Sequence, residues 1–334
     1  MKKYLSIVSA AMCALISAGC LSGDAAADDP ELFETGSPKI NRYAGVMPEG
    51  VRTIAFISPG STPGALHRKG IELLRQAGYN VKVMPHAFAR QKDVNQPPLD
   101  GKLADFYAAW NDPEVDMILC VRGGIGTETL LDHLDWKKLK KRPELYVQGY
   151  SDATLLVCAL LKKGNGHPIA GSMSGSLPGL TDDSVEAMRK VNHGEMLGPI
   201  PVRTLIPGDC HGFPVGGSLY KLSRIAVKDY CPDMTGKIIF IEGARIKPEQ
   251  IREKLYGLLE NKFFAKASGV VFCQFTGGGS KSEVDEVLRE IAPKLGVPVY
   301  ADYPFGHVPR NYSIDFLRPV EISSGRVTFP AAAK

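Results

Sequence analysis

"RTIAFISPG" at residues 52–60, continued by "GALHRKGIELLRQAGYN" at 64–80, decides the fold. A short unbroken apolar run that halts at Ser-Pro-Gly reads as a strand buried on both faces, since a strand with one wet face would alternate. The second stretch carries its apolar residues at helical spacing and stops at Gly78, a residue suited to the left-handed turn that ends helices. Strand, turn and helix open a βα unit, and the rhythm repeats. "VKVMP" (81–85) is a second strand, "LADFYAAWNDP" (103–113) a helix ended by Pro113, and "VDMILCV" (115–121) a third strand. "GTETLLDHLD" (126–135) is a further helix and "ELYVQGY" (144–150) a fourth strand, running into a helix that starts near Ser151. Such alternation predicts an α/β fold with a parallel sheet covered by helices on both faces. Ligands of such sheets gather where strands end and helices begin, so "SPGST", "RGGIGTE" and "GYSDAT" are expected to converge on one rim.

From Pro178 to His211 the rhythm is lost, and a stretch rich in Gly, Pro and Asp reads as a linker with a short helix. A smaller α/β domain is expected over 212–334, with strands "GKIIFIE" (236–242) and "ASGVVFCQF" (267–275). Its helices are "KPEQIREKLYGLLENKFF" (247–264) and "KSEVDEVLREIAPKLG" (281–296), and "PVYADYPFGH" (298–307) is a strand running into a loop. The first domain then covers 49–177. With 334 residues, 44% of them hydrophobic, the chain is long enough for two cores. A net charge of +4, with both signs interspersed, gives no basic stripe of the kind nucleic acid demands.

Lys2 and Lys3 precede an apolar stretch from Tyr4 to Ala18, too short to span a bilayer and laid out as a secretory signal. "ISAGC" resembles a bacterial lipoprotein cleavage box, with Ser17 where an aliphatic residue is usual; it would make 1–20 the signal and put a lipid anchor on Cys20. "AAA" at 25–27 offers an ordinary cleavage site instead. Residues 21–48 read as a polar tether, and an exported protein, periplasmic or anchored to the membrane, is expected either way.

Of the remaining cysteines, Cys120, Cys158 and Cys273 lie in apolar runs and read as buried small hydrophobes, whereas Cys210 and Cys231 stand in loop-like sequence and could pair. No CxxC spacing or His/Cys cluster suggests a metal, and no cofactor is expected.

Ser151 allows two readings. A strand, Gly, Tyr, Ser, helix turn exposes a nucleophile's oxygen and aims helix N-terminal N–H groups at an oxyanion, yet serine followed by aspartate is equally a good N-cap. "RGGIGTE" (122–128) lets backbone N–H groups approach a ligand closely, but it lacks the full GxGxxG order and a Walker lysine. Gly123 or Gly124 could therefore contribute to an oxyanion hole. His307 sits between Gly306 and Val308-Pro309, in a loop that would fix its ring. Glu242 ends an apolar strand, where an exposed salt bridge is the alternative role. His67, His133 and His193 stand in helix-like or charged sequence and read as surface residues; His86, His167 and His211 read as loop residues without a nucleophile pattern around them.

Taken together, "SPGS" (58–61), "RGGIG" (122–126), "GYSDAT" (149–154), "GGSLYKLSRI" (216–225), "IIFIEGARIKPEQIREKL" (238–255) and "FGHVPRN" (305–311) resemble, in order and spacing, the motifs of the LD-carboxypeptidase family. That family includes muramoyl-tetrapeptide carboxypeptidases and microcin C immunity peptidases. The resemblance implies a Ser-His-Glu triad: Ser151 as nucleophile, His307 as base and acid, Glu242 orienting the imidazole. It implies oxyanion donors from Asp152 and from Gly123 or Gly124. It also implies a flavodoxin-like N-terminal domain bearing the serine, a smaller C-terminal domain bearing the other two, and a site between them. The departures lie beside the triad: Gly243, Ala244 and Arg245 stand where family members carry acidic residues, and "SIDFL" (313–317) replaces a glycine-containing segment. They bear on the substrate. The immunity-type members stack an aminoacyl-nucleotide on an aromatic residue of the inter-domain loop, and residues 178–211 contain no Phe, Trp or Tyr. A peptidoglycan peptide is therefore the expected partner, with release of a C-terminal D-alanine. A microcin C immunity-type peptidase and an exported two-lobe solute-binding lipoprotein are the alternatives, and a homodimer stays open.

Overall fold

A computed structural model describes residues 41–332; the leader, Cys20 and the tether as far as residue 40 lie outside the described residues. Residues 41–48, read as part of that tether, are packed: Tyr43, Val46 and Met47 are buried against Ile71 and Leu74. Asn41 Nδ2 donates to Leu73 O at 2.7 Å, and Asn192 Nδ2 donates to Val46 O at 2.9 Å.

The first sheet is built from β1 (Thr53–Ile57), β2 (Asn80–Val83), β3 (Met117–Cys120), β4 (Tyr146–Gly149) and β5 (His167–Ala170). Helices α1 (Ala65–Gln76), α2 (Leu99–Asn111), α3 (Thr127–His133) and α4 (Thr154–Lys163) connect or follow them. The five strands are parallel in the order β2-β1-β3-β4-β5, the flavodoxin-like arrangement, with its switch point between β1 and β3. All five residues of β1 are buried because both faces are covered. Ile54 and Phe56 pack with Ile71 and Leu74 of α1, whereas Ala55 and Ile57 pack with Phe106 and Trp110 of α2. That alternation of partners is why the strand is apolar on both faces from Ile54 to Ile57.

After a 3-10 turn at Ser174–Gly179, the stretch read as a linker with a short helix holds a helix, α5 (Asp182–Asn192), and also two strands that were not expected, β6 (Leu197–Pro201) and β7 (Arg203–Ile206). There follow β8 (Cys210–Ser218), α6 (Leu219–Ile225), β9 (Lys237–Ala244), α7 (Pro248–Glu260), β10 (Gly269–Thr276), α8 (Lys281–Ile291), β11 (Val299–Ala301), β12 (Ile314–Asp315), β13 (Val320–Ser323) and β14 (Arg326–Phe329). The second sheet runs β6-β14-β13-β8-β9-β10-β11-β7, parallel from β8 to β11 and antiparallel on either side. β12 leaves that sheet altogether and pairs antiparallel with β5, closing the edge of the first one.

One hydrophobic cluster runs without a break from Ile118 and Val147 under the first sheet, through Leu156 of α4 and Leu219 of α6, to Val215 and Phe240 in the second. The sheets meet where β8 passes α4. There the N–H of Ser218 donates to Thr154 Oγ1 at 3.2 Å, and Gly217, at φ 140°, leaves no room for a Cβ against the Thr154 side chain. Cys210 and Cys231 do not pair, and all five described cysteines are free thiols. Cys210 opens β8 against Gly269, whereas Cys231 lies beside Lys162, and burial pushes both thiols up to about 11.

Candidate active site

β4 delivers Tyr150 in extended conformation, and Ser151 then turns sharply at φ 60°, a left-handed value costly for any residue with a Cβ. A 3-10 turn over Ser151–Ala153 leads into α4. The serine hydroxyl makes no cap bond to either helical element, so the N-cap reading of Ser151 is not what the fold uses. Its Oγ lies instead 3.1 Å from His307 Nε2.

His307 follows Gly306, whose N–H donates to Asn311 Oδ1 at 3.0 Å; the Asn311 amide in turn donates to Ser172 Oγ at 3.0 Å, fixing the loop. The imidazole packs on the Tyr150 ring with centroids 4.9 Å apart, and its Nδ1 is 2.9 Å from Glu242 Oε2. A carboxylate can only accept, so Nδ1 carries the proton and Nε2 is left to accept from the serine hydroxyl. Glu242, far from forming an exposed salt bridge, is fully buried on β9, and its Oε1 has no hydrogen-bond partner among the described residues.

Gly123 and Asp152 both stand beside the serine. A Cβ on Gly123 would lie 2.8 Å from Ser151 Cβ, 2.9 Å from Oγ and 3.1 Å from Asp152 N. Gly124, at φ 100°, backs instead onto Ser61. Among the described residues no hydrogen bond takes up the N–H of Gly123, Gly124 or Asp152. The Asp152 side chain is turned away and fully buried: it accepts from Thr127 N at 2.9 Å and Thr127 Oγ1 at 2.7 Å, and forms an ion pair with Lys221. Lys102 lies on the same side, its ammonium pushed down to about 8 by burial. The Lys221 pair ties α6 to the Ser151 turn, a link between distant segments that no local pattern announces. Gly123→Ala puts a methyl where an attacked carbonyl must sit, and kcat/KM is expected to fall by about a hundredfold or more with the fold retained. Steady-state kinetics together with circular dichroism check this.

Ser151 and His307 open into a cavity of about 970 Å³. Arg122, Arg245, Gly123, Gly124, Leu66 and His67 help to line it, and none of its lining residues is an aspartate or glutamate. Burial and the neighbouring Arg122 hold the His67 pKa below its ordinary value. Sequence reasoning placed His67 at the surface and passed over Arg122, although that arginine directly precedes the paired glycines. The other histidines lie elsewhere: His86 contacts Asp105, His133 contacts Thr129 O, His167 contacts Asp315, His193 contacts Gly45 O, and His211 lies exposed on β8. Among the described residues no three His, Cys, Asp or Glu side chains form a metal-binding group.

Serine and imidazole on loops, with a buried carboxylate in line behind them on β9, form the constellation of a serine-type hydrolase. Residues 54–171 match the LD-carboxypeptidase N-terminal domain and residues 211–322 the LD-carboxypeptidase C-terminal domain. The chain belongs to the LD-carboxypeptidase family of serine-type peptidases. It is 27% identical over 277 residues to the probable murein peptide carboxypeptidase of Bacillus subtilis, covering 78% of this chain and 86% of the relative. To the microcin C7 self-immunity protein of Escherichia coli it is 24% identical over 302 residues, covering 76% and 86%. The crystal structure of muramoyltetrapeptide carboxypeptidase from Oxalobacter formigenes shares the fold, with TM-score 0.70 and 23% identity over 83% of this chain and 99% of that one.

Proposed function

We propose that this protein is a serine carboxypeptidase that cleaves an LD-peptide bond, removing the C-terminal D-alanine from peptidoglycan-derived tetrapeptides through Ser151, His307 and Glu242. The observation that carries the reading is the Ser151–His307–Glu242 line opening into a cavity that two arginines and no carboxylate line. A carboxypeptidase must hold a substrate whose end is an anion, and guanidinium groups are the side chains that hold carboxylates best. The family and the murein-peptide relatives support the same class.

In this reading His307 Nε2 takes the proton of Ser151 as Oγ attacks the scissile carbonyl, and Glu242 stabilises the imidazolium. The oxyanion is held by the Asp152 N–H together with that of Gly123 or Gly124. His307 returns the proton to the departing amino group, D-alanine leaves, and an acyl-enzyme remains on Ser151. A water deprotonated by His307 attacks the ester, and collapse of the second tetrahedral intermediate reprotonates Oγ and frees the shortened peptide.

The test is amino-acid release by purified protein from tetrapeptides ending in an LD bond and pentapeptides ending in a DD bond. D-Alanine is expected from the LD-linked peptides alone. Release from neither, or equal release from both, would overturn the assignment.

A further inference from the structure

We propose that His67 is a substrate-binding residue whose neutral imidazole donates, from Nε2–H, to a carbonyl or carboxylate oxygen of the bound peptide. This rests on the peptidase reading above. His67 occupies the third position of α1, where a side-chain acceptor can reach back to the N–H before the helix, and the Gly64 N–H does donate to its Nδ1 at 3.1 Å. An N–H can only donate, so Nδ1 must be the bare nitrogen and the ring proton sits on Nε2. The ring lies against the backbone of Gly175, where a Cβ would come within 2.8 Å of Nε2. It faces the cavity that Ser151 and His307 share. Among the described residues no hydrogen bond takes up this Nε2–H. Burial and the Arg122 charge keep the ring neutral, so it remains a donor without adding a third full positive charge.

Capping alone does not explain the choice of histidine. Glutamate and glutamine are the residues that ordinarily serve this helix position, and both accept from the backbone N–H as well as histidine does. Only glutamine and histidine can at the same time present an N–H to the cavity, and glutamate would set a carboxylate against an anionic peptide.

Three variants separate capping from binding: His67→Gln, His67→Glu and His67→Leu, each assayed for kcat and KM on the LD-linked tetrapeptide. His67→Leu is expected to raise KM about tenfold with kcat within about twofold. His67→Gln is expected to recover most of that loss, and His67→Glu to lower kcat/KM at least ~30-fold despite an intact cap. A glutamate variant as active as wild type, or a glutamine variant as impaired as leucine, would overturn the proposal. The rate of Ser151 labelling by a fluorophosphonate, a probe too small to need the peptide contacts, is expected to be the same in all four proteins. If labelling proceeds and the wild type releases no amino acid, it is the peptidase reading that has failed and not the role of His67 within it.

Discussion

Ser151→Ala is expected to lower the rate of D-alanine release by roughly 10⁵-fold or more, since the other cavity serine, Ser176, has its Oγ on Tyr150 OH and not on an imidazole. The comparison with Ser151→Gly makes the experiment sharper. Both variants remove the nucleophile, but residue 151 is held at φ 60°, a conformation glycine adopts freely and residues bearing a Cβ do not. Ser151→Gly is therefore expected to be as inactive as Ser151→Ala and more stable than it by about 1 kcal/mol, measured by urea unfolding. The strain is then a cost the fold bears in order to point the serine oxygen away from its helix and toward His307. Turnover retained in either variant would reject Ser151 as nucleophile, and equal stabilities would reject the strain.

Glu242→Gln is expected to lower kcat by roughly 10³- to 10⁴-fold while the thermal midpoint changes little, because the substitution is isosteric. With the carboxylate, Nδ1 keeps the imidazole proton and Nε2 stays free to accept; an amide whose NH₂ donates to Nδ1 pushes that proton onto Nε2, where it blocks the serine. The neutral amide also withdraws the negative charge that sits on Nδ1 of the forming imidazolium, which counts for more because Glu242 is fully buried. Kinetics and calorimetry on one preparation distinguish this from unfolding. A Glu242→Gln enzyme within about tenfold of wild type would remove the carboxylate from the mechanism.

The parallel sheet could be read from the sequence because β3 and all of β1 after Thr53 are apolar and the intervening helices carry their apolar residues at helical spacing. Those are local patterns. β6 and β7 escaped notice because they lie outside the parallel core of their sheet, are only partly buried, and contain or adjoin prolines. β12 has two residues and is defined only by its pairing with β5. Residues 41–48 looked like a tether because their partners, Leu73, Leu177 and Asn192, lie far along the chain. At the site, the order of motifs pointed to Ser151, Glu242 and His307, and the structure brings those three side chains together. The sign of φ at Ser151, which separates a nucleophile's turn from a helix cap, has no signature in an eleven-residue window. Lys221 and His67 were missed for a similar reason: an ion pair across sheets and a ring tautomer depend on neighbours that only the folded chain supplies.

The hydrophobic cluster that runs from the first sheet into the second bears on the timing of catalysis. In a protein with two loosely joined lobes, each turnover must bring the reacting groups together again, and part of the ligand's binding free energy goes into closing the hinge. Here Ser151 is carried by the turn after β4, and His307 and Glu242 by segments packed into the same continuous interior. The entropy of aligning them is lost once, as the chain folds, and is not lost again with each peptide. Under the proposed mechanism, contacts to the substrate are then free to act on the substrate itself, favouring a bond whose carbonyl falls beside Ser151.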